Sequence, residues 1–207
     1  LEPVLRAPGG ALWGQMKLNA MRASEDAQGG VRLMVPHLQA LQAQVPGLEI
    51  HLMGHSAGSI VLGSMLKQMG KAGLKAASTR LFAPACTTRF ALDHYVPAVK
   101  QGVLTAKAFH IHVLSDQNER DDAVGPYRKS LLYLVSRSFE DAHKMPLLGM
   151  ARCFDAASAV PDAADDMWAR DRLADVAQWQ KFWDGLGVGA TNLQILRERR
   201  VANGAGT

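Results

Sequence analysis

The chain has 207 residues, 48% of them hydrophobic and 20% charged, with a formal net charge of +4. That length suits one domain with a real core, and the balance is that of an ordinary globular protein, not of a disordered or fibrous chain. The mild positive charge is scattered rather than gathered into a nucleic-acid footprint, and its one cluster, Arg197-Glu198-Arg199-Arg200, reads as a solvated helix face.

No apolar run reaches membrane-spanning length, and no signal peptide is visible. Cys86 and Cys153 lack metal or framework spacing, so reduced, half-buried thiols in a cytoplasmic protein are expected. Leu1 stands where a methionine would begin a chain, which suggests a fragment or a processed product.

Leu1 to Gly10 is predicted as a loop, because Pro3, Pro8, Gly9 and Gly10 break regular structure. Ala11 to Ala23 has helical spacing at Leu12, Met16 and Ala20. Val31 to Val45 is a second helical stretch, with Met34, Leu38, Leu41 and Val45 on one stripe and a regular start expected at Pro36. Pro46-Gly47 then turns the chain into a short apolar strand through Ile50, Leu52 and Met53. Past Gly58, the residues Ile60, Val61, Met65 and Leu66 share one helical face.

Thr79 to Ala83 is the next predicted strand, closed by Pro84. Phe90 to Val99 reads as loop or short helix, broken at Pro97. Ala108 to Leu114 is a third strand, Ser115 to Asp122 a polar loop, and Pro126 to Phe139 a helix. Strands alternating with helices predict an α/β fold, a parallel sheet flanked by helices, with chemistry at the strands' carboxyl ends. Residues 30–150 hold the predicted sheet and its helices within one domain spanning 1–207, and residues 151–207 a helical lid or extension. In that last part Ala156 to Asp166 reads as an acidic surface loop, and Met167 to Trp183 as an amphipathic helix. Its Trp168, Trp179 and Trp183 are expected to pack on the core, the alternative being a lid over the site. Leu193 to Val201 is a further short element, and Asn203 to Thr207 a tail.

Between the first strand and its helix lies Gly54-His55-Ser56-Ala57-Gly58. This Gly-x-Ser-x-Gly in a strand–turn–helix setting is the pattern of a nucleophile elbow. A serine hydroxyl presented at a strand end needs a very tight, strained turn, and bulky side chains two residues either side would collide, so Gly54 and Gly58 suit it. The helix that follows aims its free N–H groups at the site, and the Ala57 N–H is placed for an oxyanion.

On these residues the chain resembles the α/β-hydrolase superfamily, over about residues 30–150. The resemblance implies a serine hydrolase acting on an acyl ester or thioester, with a triad in the order serine, acid, histidine and no metal or organic cofactor. The acid is expected in the loop after the third strand, which offers Asp116, Glu119, Asp121 and Asp122. Asp122 is favoured, because Asp122-Ala123-Val124-Gly125-Pro126 looks like the acid, apolar stretch and proline found there; Asp116 is second. His37, His51, His94, His110 and His112 precede the acid, and His55 lies inside the elbow, where it supports the turn. Only His143 follows Asp122, in Asp141-Ala142-His143-Lys144, and an exposed helix-end histidine is its plainer reading.

The early strands of that family are not visible before the elbow, and no histidine follows the expected last strand. The fold is therefore expected as a partial version. The leading expectation is an esterase, lipase or thioesterase with Ser56 as nucleophile, a small acyl substrate, and oligomeric state left open. The other is a non-catalytic α/β module that keeps the elbow as a structural turn and offers a sheet edge to a partner.

Overall fold

The glycines and prolines of the first ten residues do not make a loop. In the computed structural model of the chain, which describes residues 1–154 and 167–197, they lie in helix α1, Glu2–Glu25. Pro3 sits in the first turn, where its missing N–H costs no intrahelical bond. Pro8 lies further in and gives up one bond. Gly9 is required by packing, since a Cβ there would fall inside the ring of Phe139.

Helix α2, Gly30–Gln44, likewise begins six residues before Pro36 rather than at it. It buries Val35, with Val31 and Leu38 packed partly against the core, while Met34, Leu41 and Val45 of the expected stripe are exposed.

Strand β1, His51–His55, leads through Ser56 and Ala57 into helix α3, Gly58–Lys71. Strand β2 is Ser78–Phe82. Helix α4, Thr88–Lys100, is a full helix despite Pro97, started by the Thr87 hydroxyl, which accepts the Phe90 N–H at 3.1 Å. Strand β3 is Phe109–Leu114. The expected polar loop is a short helix α5, Asp116–Asp121, capped by Ser115, whose hydroxyl accepts the Asn118 N–H.

The helix predicted from Pro126 starts later. Gly125 takes a φ of 57° and Val124 and Tyr127 exchange hydrogen bonds across a turn. The Ser130 hydroxyl then caps helix α6, Leu131–Leu134, which continues as a π-helical turn, Val135–Phe139. Helix α7 is Leu173–Gly185, and helix α8, Gly189–Asn192, delivers strand β4, Leu193–Leu196. The expected acidic loop and tail lie outside the described residues.

The four strands form one parallel sheet in the order β1-β2-β3-β4. The sheet therefore extends past residue 150, because β4 joins it from the part read as an extension. One face is the core side. Leu52, Leu81, Phe109, Ile111 and Val113 are buried there with residues of α3, α4 and α7. Phe109 stacks on Tyr95 at 5.3 Å and meets Trp183 edge-on at 5.7 Å. Trp168, Trp179 and Trp183 are all buried, so α7 is a core helix, as its apolar spacing indicates.

The opposite face is different. His51, Met53 and His55 on β1 are exposed, Arg80 and Phe82 on β2 and His110 and His112 on β3 are half-buried, and Gln194 and Leu196 on β4 are exposed. No helix among the described residues seals this face, although parallel sheets are as a rule covered on both sides. The strand histidines His51, His110 and His112 therefore look outward. Burial of apolar area on the core side supplies the stability, while the outer face is left half-wet.

Candidate functional site

The elbow forms as its sequence dictates. Ser56 takes a φ of 51°, a left-handed conformation that a residue with a Cβ adopts only under constraint. The constraint is visible. The Ser56 N–H donates to the Phe82 carbonyl at 3.0 Å, and the Ser56 carbonyl accepts the Ala85 N–H at 3.1 Å. The turn after β2 thus grips both ends of the serine's peptide units. That turn is itself left-handed, at Ala83 with φ 42°.

The two glycines differ in their reasons. A Cβ at Gly54 would lie 2.7 Å from Leu62 Cδ1 and 3.2 Å from the Gly58 carbonyl carbon, so strand and helix meet too closely for a side chain. A Cβ at Gly58 would meet nothing within 4 Å. The close approach expected at both positions is needed at Gly54 alone.

Ser59, the second residue of the helix, ties the elbow down. Its hydroxyl donates to the Ser56 carbonyl at 2.7 Å and accepts the Cys86 N–H at 3.1 Å. The Tyr95 hydroxyl donates to the Ser59 carbonyl at 2.6 Å. Burial pushes the Cys86 thiol up to about 12, against the opposing pull of Ser59, so this sulfur is an inert neighbour rather than a second nucleophile. Ser56 is half-buried, and the Ala57 N–H has no backbone acceptor among the described residues. Such a free N–H at the start of a 14-residue helix can stabilise a negative oxygen.

The acid and base expected from sequence engage other partners. Exposed Asp122 accepts the N–H of the next residue, Ala123, at 2.8 Å. Exposed His143 has its Nδ1 2.7 Å from the Arg137 carbonyl. No hydrogen bond among the described residues joins Ser56, Asp122 and His143. His55 points to the open face, as the alternation of β1 requires. His94 stacks on Phe90 at 3.9 Å, and burial lowers its pKa.

The acid that the fold organises at the end of β3 is Asp116. It accepts the Tyr133 hydroxyl and pairs with Arg120 Nε at 2.9 Å and Arg152 Nε at 3.1 Å. Burial, then the bond to Asp116, pushes the Tyr133 hydroxyl well above its ordinary value. Beside it Glu119 is almost fully buried, and burial raises its carboxyl to about 7. Sequence reading ranked Asp122 above Asp116. Ser115 before Asp116 was the available signal, since a serine after a strand caps a helix and fixes the next residue at the strand end.

Ala83 and Gly149 carry no sequence signal of a role at this turn. A Cβ at Gly149 would lie 2.7 Å from the Ala83 carbonyl carbon, so the segment after His143 packs tightly under the turn that holds Ser56. No helix among the described residues is long and apolar enough to cross a membrane. Comparison of the chain with protein-family models, with curated proteins and with solved structures finds no match.

Proposed function

We propose that this chain carries a serine hydrolase site of esterase, lipase or thioesterase type in a fold that resembles the α/β-hydrolases, with Ser56 as nucleophile. One observation supports it above the rest: Ser56 is held left-handed between a parallel strand and a helix N-terminus. In this reading Ser56 Oγ attacks the acyl carbonyl carbon, and its proton passes to an imidazole. The carbonyl oxygen, now negative, takes the Ala57 N–H. The alcohol or thiol departs with the imidazole's proton, and water repeats the sequence to release the acid.

Chain order nominates His143 as the base and Asp122 as its acid. Both hold other partners in this structure, so the reading requires the His143 ring to leave the Arg137 carbonyl. Free, buried Cys86 and Cys153 fit a reducing, cytoplasmic setting.

A fluorophosphonate probe tests the proposal. Labelling of the parent that is lost in Ser56→Ala, with the same thermal unfolding midpoint, is expected. Equal labelling of the two proteins removes Ser56 as nucleophile. His143→Ala that labels as fast as the parent removes His143 as base while leaving Ser56 in place.

The second reading, an elbow kept as a structural turn in a non-catalytic module, is favoured by the separate engagement of Asp122 and His143. It expects no labelling and no ester turnover.

A further inference from the structure

We infer that the face of the sheet that no described helix covers is a docking surface for an amphipathic, acid-bearing helix of a partner protein, with Arg80 as its charged anchor. The inference is independent of any chemistry at Ser56.

The register sets the residues in rows across the sheet. Met53, Arg80 and His110 form one row. His55, Phe82, His112 and Gln194 form the next. Leu114 and Leu196 continue the apolar area toward the carboxyl ends. Met53 is 70% exposed and Leu196 56%, so large apolar groups lie open beside half-buried aromatic rings. Phe82 and His112 stack face to face at 4.5 Å, which makes a flat, rigid floor.

Two polar groups on this floor lack partners. Arg80 makes no hydrogen bond or ion pair with any described residue, although its side chain is half-buried at the centre of the face. His112 Nε2 is buried with no hydrogen-bond partner of good geometry among the described residues, although Gln194 lies beside this imidazole. A buried polar atom without a partner is costly, so a ligand group that reaches it gains affinity. Among the described residues Arg80 is the fixed cation of the face. Burial and the guanidinium lower the pKa of His110 and of His112, and the one carboxylate, Glu49, lies at the amino-terminal rim, 3.1 Å from His51 Nε2.

Charge and size together choose the occupant. A second copy mating face to face would bring Arg80 toward its own counterpart. A helix about 10 Å wide and about three turns long fits strands about 17 Å long, and helices are how parallel sheets are normally covered. Its apolar stripe would lie on Met53, Phe82 and Leu196. A glutamate or aspartate beside the stripe would pair with Arg80, a geometry that guanidinium and carboxylate share well.

The test uses the 207-residue chain and a dye-labelled helical peptide of about 18 residues. The peptide carries leucines at i, i+3, i+4 and i+7 and a glutamate beside them; a twin carries lysine there. Saturable binding of the glutamate peptide, weakened at least about tenfold by Arg80→Glu, is expected. The lysine peptide should bind the parent weakly and regain affinity for Arg80→Glu, which shows that the variant is folded. Absence of saturable binding by the glutamate peptide overturns the inference. So does binding that Arg80→Glu leaves unchanged. Sedimentation showing a dimer that Met53→Asp dissociates would assign the face to a second copy and overturn it equally.

Discussion

The Ser59 hydroxyl donates to the carbonyl of Ser56 at 2.7 Å, so the residue that stabilises the elbow lies in the first turn of the helix that the elbow starts. The same oxygen accepts the Cys86 N–H, joining the elbow to the turn after β2. Ser59→Ala breaks both bonds and strands a buried N–H. A loss of about 1–3 kcal/mol is expected, read as a lower urea midpoint with an unchanged slope. An unaltered midpoint would mean that the strain at Ser56 is held by the sheet bonds alone.

Strain at Ser56 has its own signature. Ser56→Gly removes the Cβ from a residue at φ 51° and should raise stability by about 1 kcal/mol, although glycine also gains freedom in the unfolded chain. Ser56→Ala keeps the Cβ and should show no such gain. Paired thermal melts distinguish them, and equal midpoints would show that the left-handed turn carries little strain.

The two glycines of the elbow should respond in opposite directions. Gly54→Ala drives a Cβ to 2.7 Å from Leu62 Cδ1 and against Gly58, and should cost about 1–3 kcal/mol. Gly58→Ala enters open space at the first helical position and should stabilise by up to about 1 kcal/mol. Denaturant titration of both variants checks the contrast.

Glu119 makes stability depend on pH. Burial, reinforced by the Asp122 and Asp116 charges and opposed by Ser130, raises its carboxyl from 4.5 to about 7 in the folded chain. Between those values the folded state keeps a proton that the unfolded state has released, so this group's contribution falls as pH rises through that window. Glu119→Gln should therefore gain about 1–2 kcal/mol at pH 8 relative to the parent and little at pH 4. Melting curves at the two pH values read the difference, and an equal effect at both would show that the carboxyl is not the titrating group.

The elbow was legible because its signal is local: a turn, an apolar strand, small residues at fixed offsets and a change to helical spacing. Three prolines misled. Pro8, Pro36 and Pro97 each sit inside a helix that tertiary packing maintains, and each surrenders one backbone bond rather than the element. Strand β4 was missed because Leu193-Gln194-Ile195-Leu196 is short and owes its place to pairing with β3. The open face did leave a trace. Phe109-His110-Ile111-His112-Val113 alternates apolar and polar, whereas a parallel strand buried on both sides reads as a continuous apolar run. Arg120 pairs with Asp116 locally, four residues on, but its other partners, Tyr133 and Arg152, reach it from distant parts of the chain and leave no local signal.

Among the described residues strand order equals chain order, and the elbow strand precedes the other three. Each of these later strands adds to the side of the one before it, so the four can pair in the direction of synthesis without threading or insertion. The grip on Ser56 closes only when the turn after β2 has emerged to hold it.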